Sequence, residues 1–352
     1  MHPPKKPTTS WDLEILSPDR LFIFSSPRTA SNLFMRVLAK PDQPNVFLGD
    51  PADELLFLRP VLHVREAGLI RKPYDDWTDN EKAELKDIFQ HSFNRLHSHM
   101  ESARAAGKIT VAKEHASFLS EPIRREKLIN GIGTRTNDIP WKVQLPEEYN
   151  SMPPNLAPNE TVLPSEFLLT CFPTFLIRNP MLVFPSFYRT FKGTEDTDME
   201  MIETVQNQLK WTMTFKWSRN LYDWYMDAWA KYGAALNRPK PIILEADDIL
   251  GTEVIVKYCK IVGLDPSKLK YTWEPISAAE LAPLNKRLRR MKDTLLASTG
   301  ILKEKISQNL TLEEEVAKWK VEFGENEAGQ LEEWVKAAMP DYEYMWGNRL
   351  TL

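Results

Sequence analysis

The stretch Phe22-Ile-Phe-Ser-Ser-Pro-Arg-Thr-Ala-Ser-Asn32 decides the fold of this chain. Its first residues are apolar and aromatic, as in a buried parallel strand, and after the polar turn apolar residues recur at helical spacing from Leu33 to Leu38. A turn that opens a helix leaves the first backbone N–H groups without internal partners, at the positive end of the helix dipole. We therefore predict a phosphate-binding loop, in which the N–H groups of residues 29–32 surround an anionic oxygen and Arg28 adds a two-pronged cationic donor.

The composition is typical of a soluble globular protein. The 352 residues are 42% hydrophobic and 27% charged, and no apolar run approaches the roughly 18 residues of a membrane span. The formal net charge of -4 provides no general field that would attract nucleic acid or an anionic membrane surface. Residues 1–18 are polar and lack the apolar segment of a signal peptide. We expect a cytoplasmic protein with no nucleic-acid or membrane partner.

Apolar runs that alternate with helical patterns predict an α/β fold: a single three-layer domain with a mostly parallel central sheet flanked by helices. We place a polar tail at 1–18 and the domain at 19–352, with a proline-rich loop insert at about 131–164. Thr78 and Thr311 each begin a capping box that opens a helix. Further strands are predicted at 45–48, 108–115, 175–178 and 241–248.

Two segments are candidates for the walls of a substrate pocket. The proline-rich loop is longer than structureless loops usually are inside a domain, and Trp141 with Tyr149 is compatible with a substrate-covering role, although a surface insert is an equally good interpretation. The stretch from Leu209 to Trp229 is helical and rich in Trp and Tyr, a pattern typical of a core and less often of a ligand wall.

Three of the predicted strands end in polar residues: Pro27-Arg28, Lys113-Glu-His115 and Arg178-Asn-Pro180. Ligands of open parallel sheets bind beyond the carboxyl ends of the strands, so we expect these endings to converge on one crevice. No Walker A, HExxH or GxSxG sequence is present, and Cys171 and Cys259 are far apart. These absences argue against P-loop NTPases, zinc proteases, serine hydrolases and a structural zinc site.

We interpret two other groups of polar and charged residues as solvent-exposed. His91, His97 and His99 lie on the predicted amphipathic helix without a carboxylate at metal-ligand spacing, so we expect solvent-facing positions. The basic cluster at 286–292 is interpreted as a solvated helical face.

In their order along the chain, the motifs resemble those of the sulfotransferase family. Ser26-Pro-Arg-Thr-Ala-Ser-Asn-Leu33 is similar to the family's phosphosulfate-binding loop, and Lys113-Glu-His115 looks like its KxH ending. The segment from Arg178 to Ser186 resembles the R[ND]PxDxxxS motif, and the segment from Leu244 to Leu250 resembles the YEDL strand end. The closing RKG segment of cytosolic members is not recognisable. The resemblance covers residues 21–250.

The resemblance implies transfer of a sulfonate from 3′-phosphoadenosine 5′-phosphosulfate (PAPS) to a hydroxyl or amine of a small-molecule acceptor, with 3′-phosphoadenosine 5′-phosphate (PAP) as product and no metal. It makes His115 the general base, with Lys113 and Arg28 stabilising the charge of the reacting groups. Arg178 and Ser186 correspond to the pair that binds the 3′-phosphate. The cofactor-binding residues that the resemblance implies are Arg28, Thr29, Ala30, Ser31, Asn32, Arg178 and Ser186.

The chain departs from the family pattern at Ala30, which replaces the usual glycine, and at Asn32, which replaces a hydroxyl residue. Alanine tolerates right-handed backbone but disfavours positive φ, so we expect position 30 to be helical. These departures keep two alternatives open: an enzyme of the same fold that performs elimination or cyclisation, and a non-catalytic nucleotide-binding protein. In the first alternative, His115 and Arg28 would assist the reaction. Taken one residue at a time, His115 could also be a structural histidine and Arg178 could form a surface ion pair.

Overall fold

The computed structural model of the protein describes residues 19–50, 55–131, 139–151, 157–191, 199–233, 239–275, 298–300 and 310–352. Over these residues, four strands form one sheet in the order β2-β1-β3-β4, and every neighbouring pair is parallel. The strands are β1 (Arg20–Ser25), β2 (Thr110–His115), β3 (Phe172–Ile177) and β4 (Ile242–Glu245). The prediction of an α/β fold with a mostly parallel sheet is confirmed.

Helices connect the strands and cover the sheet. Those described are α1 (Ser31–Val37), α2 (Leu58–Glu66), α3 (Asp79–Ala105), α4 (Pro122–Asn130), α5 (Ser165–Thr170), α6 (Pro180–Tyr188), α7 (Met199–Thr212), α8 (Lys216–Tyr232), α9 (Thr252–Val262), α10 (Leu312–Phe323) and α11 (Glu325–Gly347). The Thr78 capping box is complete, with both reciprocal bonds to Glu81, and the Thr311 hydroxyl accepts from the Glu314 N–H. No helix in the described ranges is long and apolar enough to cross a membrane.

The sheet separates two apolar layers, because side chains alternate along a strand. Phe22 and Phe24 of β1 face the larger layer, which contains aromatic residues of α3 and α8 and apolar residues of α11. Leu21 and Ile23 face the smaller layer, against Phe34 of α1 and apolar residues of α9. Both faces of β1 are therefore fully covered, which explains why its sequence is continuously apolar.

The aromatic stretch from Leu209 to Trp229 divides into α7 and α8, and its rings belong mostly to the core. Tyr225 lies 5.9 Å from Phe24 and 6.1 Å from Phe175, measured between ring centroids. These ring contacts pack α8 against β1 and β3. The interpretation of this stretch as core describes α8 better than the interpretation as a ligand wall.

The proline-rich segment is anchored at the amino end of β1, away from the loop that follows this strand. The buried guanidinium of Arg20 donates to Tyr149 Oη at 2.7 Å, to Thr170 Oγ1 at 3.0 Å and to Glu101 Oε1 at 2.6 Å. Trp141 packs edge-on against Phe89 of α3. Tyr149 is thus bonded to the sheet as a structural anchor, which favours the interpretation of this segment as an insert over a substrate-covering role.

Short segments pair with the two outer strands of the sheet. The predicted strand at 45–48 is reduced to one bridge, in which Phe47 N donates to Ile109 O at 2.8 Å and Ile109 N donates to Asn45 O at 2.7 Å, just before β2. At the other edge, Leu350 N donates to Ile243 O of β4 at 2.8 Å. The basic cluster at 286–292 lies outside the described residues.

Candidate active site at the carboxyl edge of the sheet

The structure brings the three polar strand endings together. Ser25 at the end of β1 is in register with His115 of β2 on one side and with Leu176 of β3 on the other. Beyond the strands, Arg28 Nε donates to Ser186 Oγ at 2.9 Å, and Arg178 Nη1 donates to the Arg28 carbonyl at 3.3 Å. Cationic and hydroxyl groups separated by 150 or more positions in sequence therefore line one edge of the sheet.

The loop between β1 and α1 has an unusual backbone. Arg28 has a φ of 72° and Ala30 a φ of 63°, both in the left-handed region. The prediction of a right-handed helical conformation at Ala30 is therefore wrong. Ala30 is the residue that precedes α1, where the family pattern has glycine, and the chain keeps the glycine-like conformation with an alanine. A left-handed conformation costs a non-glycine residue about 1–2 kcal/mol.

The loop is closed internally by Thr29. Its backbone N–H and its hydroxyl both donate to the Ser26 carbonyl, at 3.3 Å and 2.7 Å, and its side chain is fully buried. The Thr29 hydroxyl is thus a structural element of the turn. Because α1 is only seven residues long, its dipole is small, and the full charge of Arg28 is the stronger attraction for an anion.

Lys113 reaches across from β2 to the start of α1. Its ammonium donates to Asn32 Oδ1 at 2.6 Å, and its side chain is buried. A buried ammonium requires an acceptor, since its desolvation would otherwise be costly. Asn32, one of the two departures from the family pattern, provides this acceptor and so orients a cation at the edge of the sheet.

His115 is buried at the end of β2, in contact with Ser25 and Phe118. Ser25 Oγ lies 2.8 Å from Nδ1, and the Phe118 ring stands edge-on at 4.8 Å between centroids. Burial lowers the pKa of His115 to about 3, and the nearby Lys113 charge acts in the same direction. The imidazole is therefore neutral near pH 7, the state that a proton acceptor needs.

Arg178 at the end of β3 is placed beside acidic residues from the end of β4. Burial lowers the pKa of Arg178, and the negative charges of Glu245 and Asp247 oppose this shift. Burial and the adjacent Asp247 raise the pKa of Glu245 to about 7. Tyr342 of α11 donates to Glu245 Oε1 at 3.4 Å, which connects the last helix to the residues that surround Arg178.

An aromatic wall continues from His115 towards α7. The centroid of Phe118 lies 6.4 Å from that of Trp211, and the Trp211 indole N–H donates to Ser120 Oγ at 3.1 Å. The buried guanidinium of Arg125 lies over the Trp211 ring at 5.0 Å. Trp211, which belongs to the predicted aromatic stretch, therefore lies near His115, with Phe118 between them.

Glu114 is a buried carboxyl group that the sequence interpretation left without a role. It points to the opposite face from Lys113 and His115, as expected for a neighbour in a strand, and its Oε1 accepts from Phe57 N at 3.2 Å. Burial raises the pKa of Glu114 to about 8. Glu114 therefore secures the segment that leads into α2.

The histidines of α3 do not all face solvent. His91 is exposed as expected, but His97 and His99 are half-buried, so that expectation is wrong for both. His97 Nε2 lies 3.0 Å from Glu148 Oε1, and the ligand atoms of His97, Glu101 and Glu148 lie within 4.8 Å of one another. Glu101 is already bonded to Arg20 and Arg104, so this cluster is an ionic network at the far end of β1.

Two curated proteins are similar to the chain over nearly its full length. It is 37% identical over 344 residues to a protein named "Sulfotransferase ppzF" from Metarhizium majus, an alignment that covers 95% of this chain and 97% of the relative. It is 36% identical over 344 residues to the protein of the same name from Metarhizium rileyi, covering 95% and 96%. No protein-family model and no solved structure matches the chain.

The α/β domain therefore carries cationic and hydroxyl side chains at the carboxyl edge of its parallel sheet, where open α/β sheets bind their ligands. The chain belongs to the sulfotransferase family, whose reaction is sulfonate transfer.

Proposed function

We propose that this enzyme transfers a sulfonate from PAPS to a hydroxyl or amine of a small-molecule acceptor. The observation that carries the proposal is the contact between the loop after β1 and the start of α6, where Arg28 bonds Ser186 and Arg178 bonds the Arg28 carbonyl. These residues are the ones that the family resemblance assigns to the donor nucleotide. Their convergence from distant parts of the chain supports a shared anionic ligand.

The donor set fits a molecule with two separate phosphate groups. In the proposed complex, Arg28 and the N–H groups of residues 30–32 bind the 5′-phosphosulfate, and Arg178 with Ser186 binds the 3′-phosphate. Thr29 shapes the loop for this contact, because its own N–H and hydroxyl donate to the Ser26 carbonyl. The partly buried position of Arg178 strengthens such a contact, because a charge-assisted hydrogen bond is stronger away from bulk water. PAPS supplies the sulfonate and a phosphate leaving group.

The roles of the strand-end residues follow from the charges that change during transfer. His115 accepts the proton of the acceptor hydroxyl as its oxygen bonds to sulfur, while the bond from sulfur to the 5′-phosphate oxygen breaks. Lys113 and Arg28 stabilise negative charge on the sulfonate and on the leaving phosphate. A pKa of about 3 leaves His115 neutral at pH 7 but makes it a weak proton acceptor, so its assignment as the base rests on its position at the end of β2 beside Lys113 and not on its pKa.

Calorimetric titration with PAP and with ADP tests donor recognition. We expect PAP to bind more tightly than ADP, and Arg178→Ala to weaken PAP binding roughly thirtyfold, because one charge-assisted contact is worth about 2 kcal/mol. Arg104→Ala is the matched control, since Arg104 pairs with Glu101 on the surface of α3. Equal affinities for PAP and ADP, or no effect of Arg178→Ala, would contradict the proposal.

Turnover with labelled PAPS and a panel of phenols, alcohols and amines tests the chemistry. We expect His115→Asn to reduce kcat by about 100-fold or more while PAP affinity changes little, because a general base contributes in that range and does not touch the nucleotide in this arrangement. Unchanged turnover would remove His115 as the base. If the native protein binds PAP but transfers no sulfonate, the alternative of a non-catalytic nucleotide-binding protein is supported instead.

A further inference from the structure

Ser25 is placed to control the protonation of the His115 ring. It ends β1 directly opposite His115 in the parallel register, and its side chain is fully buried. Its hydroxyl has two neighbours: His115 Nδ1 at 2.8 Å and the Glu114 carbonyl oxygen at 3.3 Å. Both neighbours come from the end of β2, so the pairing of the two strands fixes the position of the hydroxyl relative to the ring.

Only two hydrogens are available to this group, one on the Ser25 hydroxyl and one on the neutral His115 ring, and their placement decides which ring nitrogen is protonated. A serine hydroxyl carries one proton, and a carbonyl oxygen can only accept a hydrogen bond. When Ser25 donates to the Glu114 carbonyl, its oxygen is left as an acceptor for His115 Nδ1, and the hydrogen of that bond must then come from the ring. A neutral imidazole has a single N–H, so Nε2 keeps its lone pair.

The surroundings of the ring agree with this arrangement. Burial and the Lys113 charge keep the pKa of His115 far below 7, so the ring carries one proton and not two, and a hydrogen bond to the Ser25 backbone works in the opposite direction. A backbone group that favours protonation of a histidine is a hydrogen-bond acceptor. The Ser25 backbone carbonyl is thus an acceptor for the ring, as the Ser25 hydroxyl oxygen is in this arrangement. Phe118 packs edge-on against the same ring and limits its rotation.

We infer that Ser25 is a positioning residue that holds His115 in the tautomer with hydrogen on Nδ1, so that Nε2 is the nitrogen that accepts the acceptor's proton. The catalytic part of this inference rests on the proposed function. The structural part, the tautomer itself, holds whether or not sulfonate is transferred. Ser25 does not touch the reacting atoms in this arrangement and acts only through the imidazole.

Nitrogen NMR of the folded enzyme labelled with 15N-histidine measures the tautomer directly. We expect His115, assigned by the signals lost in His115→Asn, to show a protonated Nδ1 and an unprotonated Nε2 at pH 7. Ser25→Ala should raise the Nε2–H form, whereas Ser25→Thr, which keeps a hydroxyl, should retain the native tautomer. Ser218→Ala is the matched control, because it removes a buried hydroxyl of α8 that has no hydrogen-bond partner among the described residues.

Kinetics then test whether the tautomer matters for transfer. Ser25→Ala should lower kcat about tenfold or more while PAP affinity stays within about twofold, and Ser25→Thr should restore most of the rate. An Nε2–H tautomer in the native enzyme, or an unchanged tautomer in a folded Ser25→Ala variant, would overturn the inference. If the native tautomer is as expected but no sulfonate is transferred, the proposed function fails and the Ser25–His115 assignment stands.

Discussion

The Lys113 ammonium and the Asn32 side-chain oxygen are joined by a hydrogen bond of 2.6 Å, which links the end of β2 to the first turn of α1. The residue that departs from the family's hydroxyl pattern thus has a partner, and that partner is the lysine proposed to face the sulfonate. The two positions form one unit, in which the amide accepts from the ammonium and leaves the positive charge undiminished.

Replacement of Asn32 by Ala should destabilise the enzyme and misplace Lys113. Removing one acceptor from a buried cation costs about 1–3 kcal/mol, so we expect a lower free energy of unfolding and a reduced kcat. Asn32→Asp should restore the contact but neutralise the charge, and so weaken PAP binding. Urea unfolding and calorimetry measure both effects; equal stability of Asn32→Ala and the native enzyme would show that the contact is not energetically important.

Ala30→Gly should stabilise the loop and tighten PAP binding. The substitution removes the steric strain of a side chain at a φ of 63°, which is worth about 1–2 kcal/mol. Glycine also gives the unfolded chain more conformational freedom, which costs the folded state about 0.4–1 kcal/mol. Ala106→Gly is the control, because Ala106 has a φ of -85° and gains no relief from glycine. We expect a higher melting temperature for the first variant and a lower one for the second. The reverse order would contradict the left-handed conformation of the loop.

His115 should make stability depend on pH in the acidic range. Its pKa is about 3 in the folded state and ordinarily about 6.5 when unfolded, so the unfolded chain binds the extra proton first as pH falls. The native enzyme should therefore lose about 1.4 kcal/mol per pH unit below 6.5 relative to His115→Asn, which cannot titrate. Urea unfolding of both proteins between pH 5 and 7.5 measures this; a constant difference would refute the depressed pKa.

Tyr149→Phe should reduce stability without a change in turnover. Arg20 loses one of its three hydrogen-bond partners, which costs about 1–3 kcal/mol for a buried charged donor. The contact lies at the opposite end of β1 from His115, so kcat and PAP affinity should stay unchanged. Denaturant unfolding and turnover measure the two properties separately. A large loss of kcat at full stability would instead assign Tyr149 to the substrate pocket.

The sequence predicted the parts of the fold that depend on local pattern. The apolar run before Pro27, the capping residues Thr78 and Thr311 and the polar ends of the strands all depend on neighbours a few positions away. The left-handed backbone at Ala30 could not be predicted in this way. Alanine gives no sign of positive φ, and the conformation is seen only in the folded turn, next to the bonds that join Thr29 to Ser26.

Contacts between residues far apart in sequence could not be predicted either, for a different reason. Ser25 and His115 are 90 positions apart and Asn32 and Lys113 are 81 apart, and their pairing depends on the register of β1 and β2. A parallel register is set by packing of the whole sheet. The motifs therefore selected Arg28, Arg178 and Ser186, which the structure brings into contact, while the hydrogen bonds that orient them required the structure.

The pairing of short segments with the outer strands affects how copies of the enzyme can associate. Outer strands offer unpaired N–H and C=O groups that recruit a strand from another molecule. Here residues 45–47 already bond Ile109 next to β2, and Leu350 bonds Ile243 of β4. Strand-to-strand polymerisation at these positions would first require the segments to detach. At Ile109 and Ile243, therefore, the backbone groups that an outer strand would offer to another molecule already bond the chain's own segments.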